Sequence, residues 1–295
     1  MKNQFSILDN NYAKKEVETV VALAVYQADN AVWLKQSVES ILTQSYKSFV
    51  FVIVIDGPIP QNLLAILTDA VRSDSRVILA QHSENKGLAG AMNNAIDYTS
   101  QYNPSFFVRM DADDVSEQNR LHKQINFLKR HKTVSVLGSA LTEINEYGKK
   151  VGARVMPTTH KRIVSMLPRR CSMNHPTVAI RFDVFRDGHR YDESLRNTQD
   201  YFLWILLASK GYIFRNLSDR LLKFRRVNDF YKRRGYGKSL NEFKARLYAI
   251  NKLKQYSPHN FVYACGVLML RLMPSNVVKI AYKLDRHLLE RFHKH

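Results

Sequence analysis

Phe106-Phe107-Val108-Arg109-Met110-Asp111-Ala112-Asp113-Asp114-Val115 sets an apolar run directly against three carboxylates. The apolar part reads as a short buried strand. Three acidic groups within four residues at its end repel one another unless something positive sits among them. A hard divalent cation, Mg²⁺ or Mn²⁺, meets that need, because it takes carboxylate oxygens and keeps positions open for phosphate oxygens. The competing reading is a solvated acidic turn that caps the next helix. Asp114 either orients its neighbours or starts the helix that carries Arg120 and Leu121.

Upstream, Val20-Val21-Ala22-Leu23-Ala24-Val25 is a continuous apolar run suited to a buried parallel strand. Gln27, Asp29 and Asn30 follow it, and then Val32, Leu34, Val38, Ile41 and Leu42 recur at helical spacing. Phe49 to Ile55 is a second strand, stopped by the turn Asp56-Gly57-Pro58. Leu63, Leu64, Ile66, Leu67 and Val71 mark a helix, Val77 to Ala80 a third strand, and Leu88 to Ile96 a third helix. Phe106 to Met110 is then the fourth strand. Strand and helix alternate, which predicts an α/β fold with a parallel sheet. Ligands of such sheets bind beyond the carboxyl ends of the strands, where Asp56 and the acidic cluster both fall.

Downstream, Leu121, Ile125, Phe127 and Leu128 predict a helix, and Val134 to Ile144 a strand broken at Gly138. Val178-Ala179-Ile180 is a short strand after Asn174-His175-Pro176-Thr177. Asp200 opens an apolar helix that ends at Gly211, and Leu217 to Phe224 is a last strand before a basic segment beginning at Arg225-Arg226. Beyond it only helices are expected. Phe261 to Leu270 is apolar but ten residues long, whereas a bilayer span needs about 20; it packs on the domain or lies in a membrane interface. The expected division is an α/β domain over 1–228 and a basic, mainly helical extension over 229–295.

The 295 residues carry a formal charge of +19. From Arg215 onward there are 19 Lys or Arg against 5 Asp or Glu, so most of the excess lies in the last quarter. Nucleic acid, an anionic membrane face and a phosphate-bearing substrate are the partners such a tail suits. No helix-turn-helix, zinc or RNA-recognition signature accompanies it, which argues against a specific nucleic-acid partner. Two cysteines, Cys171 and Cys265, supply neither a disulfide framework nor a metal spacing and suit a reducing compartment. The first nineteen residues lack the apolar core of a signal peptide.

Several residues have a chemistry to offer. Asp56 at a strand end can accept a hydrogen bond from a pyrimidine ring N–H, or simply cap its turn. Asp113, helped by Asp111, can hold a cation against a leaving diphosphate. Asp200 stands at a helix start, where the dipole favours the ionised carboxylate, and can take a proton from a hydroxyl. His175 is either a satisfied structural histidine or a substrate contact. Lys232, Arg233 and Arg234 form a basic run beside Tyr231 that can fold over a diphosphate, each charge-assisted bond being stronger than a neutral one. Asn85-Lys86-Gly87-Leu88 lacks the spacing of a P-loop or dinucleotide fingerprint.

These pieces, in this order, resemble the family 2 glycosyltransferases, and within them the bacterial exopolysaccharide and O-antigen enzymes of the amylovoran-biosynthesis type. The resemblance rests on Ala24-Val25-Tyr26, Ser37 to Tyr46, Asp56-Gly57-Pro58, Asn85 to Asn93, Arg109 to Val115, Asn119-Arg120-Leu121, Asn174 to Val178, Gln199 to Trp204 and Phe230 to Gly235. It implies a GT-A fold, Rossmann-like, with a mostly parallel central sheet flanked by helices. It also implies an inverting, metal-dependent transfer from a UDP-sugar, galactose before glucose, with Mn²⁺ or Mg²⁺. The acceptor expected is a lipid-diphosphate-linked sugar at the cytoplasmic face of the membrane, with peripheral contact to anionic lipid. Residue by residue, it implies nucleotide-sugar contacts at Tyr26, Gln27, Asp56, Asn85, Gly87, Arg109 and Asp111, a metal at Asp113 and Asp111, and a catalytic base at Asp200. His175, Lys232, Arg233 and Arg234 are then candidates for the diphosphate or acceptor. Two positions depart from the family pattern. Ile55 stands where many members have a first Asp, and Gln199 replaces the Glu beside the base. Loss of that neighbouring charge should lower the proton affinity of Asp200. A nucleotidyltransferase is the nearest enzymatic alternative, but Ala24 to Asn30 has neither the Gly nor the basic residue its loop needs; a non-enzymatic polyanion-binding protein is the other.

Overall fold

The computed structural model describes residues 5–195, 197–226 and 236–272. β1 (Phe5–Asn10) leads into β2 (Thr19–Val25), α1 (Ala31–Leu42), β3 (Phe49–Asp56), α2 (Gln61–Ser73), β4 (Val77–His82), α3 (Gly87–Thr99) and β5 (Phe106–Met110). Every strand and helix read from the apolar runs of this half is present. The strands lie in the order β4-β3-β2-β5, all parallel. Their side chains alternate between two cores, as a pleated strand requires. Val20, Ala22, Val50, Val52 and Val54 face α3 on one side. Val21, Leu23, Val25, Phe51 and Ile53 face α1 and α2 on the other. Burial on both faces is why these strands read as unbroken apolar runs. Asn30 starts α1 by accepting the N–H groups of Val32 and Trp33.

β1 was not visible in the sequence. It pairs antiparallel with β4 at the sheet edge, its residues alternate between half-buried and exposed, and its sequence, Phe5-Ser6-Ile7-Leu8-Asp9-Asn10, does not follow that alternation. β6 (Val115–Ser116) is equally short of signal: it crosses from the end of β5 to the far side of the sheet. There follow α4 (Arg120–Arg130), β7 (Val134–Ile144), β8 (Lys150–Arg154), α5 (His160–Met166), β9 (Ala179–Arg181), α6 (Asp183–Arg186), α7 (Gln199–Ser209) and β10 (Ile213–Arg225). β9 runs antiparallel between β5 and β7, and β10 lies parallel to β7 and antiparallel to β6. The sheet is therefore mixed, with a parallel centre.

Two expectations are corrected. β7 is not broken at Gly138. The glycine is there for packing: a Cβ would stand 2.2 Å from Asn216 Oδ1 and 3.0 Å from Met173 Cε. The last strand begins at Ile213 rather than Leu217, because polar Arg215 and Asn216 belong to it. Asn216 is buried and donates to the carbonyls of Pro157 and Ser172.

α8 (Tyr236–Lys252) and α9 (Pro258–Leu272) follow. Ala245 and Ala249 are buried in the same core as Trp204 and Ile205 of α7, and Arg246 Nε donates to the Arg169 carbonyl at 2.8 Å. No helix among the described residues is long and apolar enough to cross a membrane.

Candidate active site

The acidic loop between β5 and β6 is held from both sides. α1 and the turn that follows it present a polar stripe, Ser37 and Ser40 on the helix and Gln44 just beyond it. Ser37 Oγ donates to the Asp111 carbonyl at 2.7 Å, and Ser40 Oγ accepts from Ser116 N at 3.0 Å. Gln44 donates to the Glu117 carbonyl and accepts from Leu121 N. From the other side comes Arg225, the last residue of β10 and 4% exposed. Its backbone N–H donates to Asp114 Oδ1 at 2.9 Å and its Nε to the Asp113 carbonyl at 2.9 Å. Its Nη atoms reach Gln36 Oε1 and the carbonyls of Asn145 and Glu146, and its plane lies over the Trp33 ring. The sequence reading placed Arg225 at the start of a basic segment after the last strand; nothing in a local pattern marks a strand's last cation as a loop anchor.

One oxygen from each of Asp111, Asp113 and Asp114 lies within 4.8 Å of the others. Burial, and then the charge of Asp111, push Asp113 up to about 6. Burial and both neighbours hold Asp114 well above the usual carboxylate range. Asp114 Oδ2 is buried and has no hydrogen-bond partner among the described residues. An oxygen set that is crowded, ionised at a cost and partly unsatisfied fits a divalent cation. Asp114 does not start a helix, since α4 begins at Arg120. Asp29, in the turn after β2, accepts the Tyr26 N–H at 2.9 Å and is pushed up to about 7 by burial and then by Asp113 and Asp111. It therefore lies beside the cluster, a neighbour that sequence reasoning did not assign.

Arg109 is the cation of the site. It is 3% exposed, donates through Nη2 to Asp111 Oδ1, and leaves Nε and Nη1 buried without partners among the described residues. Arg120, fully buried in α4, fixes it from behind by donating to the Arg109 carbonyl at 2.8 Å. The Arg109 charge is felt at Asp113, Asp200 and His175 alike. One guanidinium thus contacts Asp111 and acts electrostatically on both Asp113 and Asp200, although 87 residues of chain separate those two.

Asp200 stands in the first turn of α7, after Thr198 in the left-handed region at φ 64°. Burial raises its pKa; Arg109 and the N–H groups of Asp200 and Tyr201 pull it back without cancelling the rise. The helix-start N–H groups favour the ionised form as expected from the sequence, but burial outweighs them. His175 Nδ1 lies 3.8 Å from Asp200 Oδ2, too long for a hydrogen bond. His175 Nε2 meets Tyr191 OH at 3.1 Å, and its ring abuts Trp204. Burial, with Arg109, depresses His175 well below its ordinary value, so it is neutral beside the carboxylate.

Asp56 ends β3, and its carboxylate is 5% exposed. Oδ1 accepts from Lys86 N at 2.8 Å and faces His82 Nδ1 at 2.8 Å, while Oδ2 accepts from Gly87 N at 2.9 Å. The carboxylate therefore sits at the N-terminus of α3, whose free N–H groups favour an anion. Asn85 Nδ2 donates to the Asp56 carbonyl, and a Cβ on Gly57 would come within 2.9 Å of Asn85 N, so the two loops are in contact. Gly87 adopts φ +79°, which a side chain would resist. Tyr26 and Gln27 are exposed in the turn after β2. Lys232, Arg233 and Arg234 lie outside the described residues.

A family model described as "Glycosyl transferase family 2" matches residues 20–188, more than half the chain. The chain belongs to glycosyl transferase family 2. This glycosyltransferase is 28% identical over 265 residues to the putative glycosyltransferase EpsE of Bacillus subtilis, covering 89% of this chain and 92% of that one. It is 30% identical over 269 residues to the amylovoran biosynthesis glycosyltransferase AmsE of Erwinia amylovora, covering 90% and 98%. It is 26% identical over 267 residues to an Escherichia coli protein named UDP-Gal:alpha-D-GlcNAc-diphosphoundecaprenol beta-1,3-galactosyltransferase, covering 89% and 94%. Among solved structures, S. aureus TarS 1–349 in complex with UDP-GlcNAc superposes with a TM-score of 0.58 at 16% identity, covering 88% of this chain and 83% of that one. The mannosyltransferase PcManGT of Pyrobaculum calidifontis, in complex with GDP-Man and Mn2+, does so at 0.54 and 14% identity, covering 98% and 84%. The fold is the GT-A fold of such transferases. The matched region holds Asp56, the acidic loop and His175, and stops short of Asp200 and Arg225.

Proposed function

We propose that this family 2 glycosyltransferase moves a hexose, galactose before glucose, from a UDP-sugar to a lipid-diphosphate-linked sugar during O-antigen, capsule or exopolysaccharide repeat-unit synthesis. The observation that carries the proposal is Arg109: a buried guanidinium with two donor nitrogens unpaired among the described residues, bonded to Asp111 of the acidic loop and near enough for its charge to act on Asp200. Unpaired buried donors are costly, and a phosphate or sugar oxygen between the two acidic elements would satisfy them.

In this reading Asp200 accepts the proton of the acceptor hydroxyl as its oxygen forms the new bond to the anomeric carbon. The bond from that carbon to the diphosphate breaks on the opposite face, and the electron pair leaves with UDP. A carboxylate whose proton affinity burial has raised is the better base for this step. Asp113 and Asp111 hold a Mn²⁺ or Mg²⁺, which when bound neutralises the charge developing on the diphosphate. Arg109 orients Asp111 and donates to the donor. Asp56, Asn85 and Gly87 border the base, with Tyr26 and Gln27 on the exposed side of the donor. His175 lies on the acceptor side, and Lys232, Arg233 and Arg234 meet a diphosphate. The excess positive charge after Arg215 suits an acceptor diphosphate and the anionic inner face of the membrane.

Galactose is supported by the name of the E. coli relative, a UDP-linked donor by that name and by the TarS complex, and the metal by the PcManGT complex, whose own donor is GDP-Man. The test is purified protein with Mn²⁺, a panel of UDP-sugars and a synthetic GlcNAc-diphosphate-lipid, with the product linkage read by NMR. Transfer from UDP-galactose is expected. No transfer or hydrolysis with any UDP-sugar, or full activity in Asp113→Ala, overturns the proposal.

A further inference from the structure

His82 closes β4, and both of its ring nitrogens are committed. Nδ1 lies 2.8 Å from Asp56 Oδ1, and Nε2 lies 2.9 Å from Asn94 Nδ2. Asn94, two turns into α3, decides which nitrogen carries the proton. The same Nδ2 donates to the Gly90 carbonyl at 3.1 Å. A carbonyl only accepts, so the amide atom facing it is the NH₂ group, and that NH₂ also faces His82. Nε2 is therefore the acceptor and Nδ1 carries the hydrogen. The other end requires the same assignment, because an ionised carboxylate only accepts.

Asp56 consequently receives three donors: His82 Nδ1–H and Lys86 N–H on Oδ1, and Gly87 N–H on Oδ2. A carboxylate offers about four acceptor directions. One remains, on Oδ2, and it is aimed by the three donors already in place. We propose that His82, held in its Nδ1–H form by Asn94, is the positioning residue for Asp56 and sets base selectivity: the site takes a ring that offers one N–H, as uracil does, over one that offers a lone pair there, as cytosine does. The inference rests on the reading above that Asp56 borders the base.

The test is calorimetric titration of the purified protein with UDP and with CDP, in Mn²⁺. Wild type binds UDP at least about tenfold more tightly than CDP, the size of one hydrogen bond to a charged group. His82→Asn places an amide N–H near the position of Nδ1 and keeps that ratio. His82→Leu loses about tenfold in UDP affinity, and the ratio collapses toward one. Asn94→Ala, a partly exposed position on a helix, loses about threefold and serves should His82→Leu not fold. Unchanged UDP affinity and UDP:CDP ratio in His82→Leu and Asn94→Ala overturn the inference, as does a His82→Asn variant as impaired as His82→Leu. Asp56→Asn separates the two layers. If it binds UDP like wild type, the base-site reading itself fails; if it loses UDP while the His82 and Asn94 variants do not, only the role of His82 falls.

Discussion

The N–H of Arg225 donates to Asp114 Oδ1 at 2.9 Å across 111 residues of chain, and the Arg225 guanidinium spans from Asp113 to Gln36 and Trp33. The end of the last strand thereby holds the loop that the first helix also grips. Arg225→Gln should keep the fold, because the backbone bond to Asp114 survives, but it releases the Asp113 carbonyl. A charged hydrogen bond is worth about 1.5–3 kcal/mol, so Mn²⁺ affinity, read by electron paramagnetic resonance, is expected to weaken by about tenfold or more. Native Mn²⁺ binding in the variant would show that α1 alone positions the loop.

Asp113 makes the metal-free protein sensitive to pH in a fixed direction. Its folded pKa of about 6 lies above the ordinary 3.8. Below the unfolded value both states are protonated and no penalty exists; as pH rises through 6 the folded state must ionise, and stability is lost. The shift corresponds to at most about 3 kcal/mol. In EDTA, Asp113→Asn is therefore expected to melt a few degrees above wild type at pH 7 and level with it near pH 4. A lower melting temperature for the variant at pH 7 would refute this. Mn²⁺ should raise the melting point of wild type and not of the variant.

Asp200→Asn removes the proposed base while leaving the acidic loop intact. Transfer should fall by about 10²–10⁴ with UDP affinity unchanged. The Asp200 pKa is raised, so wild-type turnover should drop as pH falls through a value above the ordinary carboxylate range. Loss of UDP binding equal to the loss of turnover would assign Asp200 to the donor instead.

Gly138→Ala tests the contact at the middle of β7. The added Cβ meets Asn216 Oδ1, which is buried and anchored to two carbonyls, so it has no room to retreat. Overpacking of this kind costs about 1–3 kcal/mol, and chemical denaturation should show it. A neutral substitution would mean that β10 shifts freely against β7.

The parallel centre was legible because its strands are buried on both faces. Val20 to Val25 and Phe49 to Ile55 have no polar side to blur the signal. β1 and β6 were not, since one is half exposed and the other two residues long. The acidic loop, Asp56 and Asp200 were legible as carboxylates at strand or helix ends. Arg225, Asp29 and the His82–Asn94 pair were not, because each acts through a partner far along the chain.

Local chemistry thus determined the strands, the helices and the positions of the acidic groups, all of which depend on residues within a few places of one another. What only the tertiary structure decided is which charges meet. Arg109 pairs with Asp111 and its charge reaches Asp113 and Asp200, and Arg225 closes on Asp114, because residues far apart in the chain fold to one place. Pairing energies and pKa values follow distance and burial, and neither is a property of spacing along a chain.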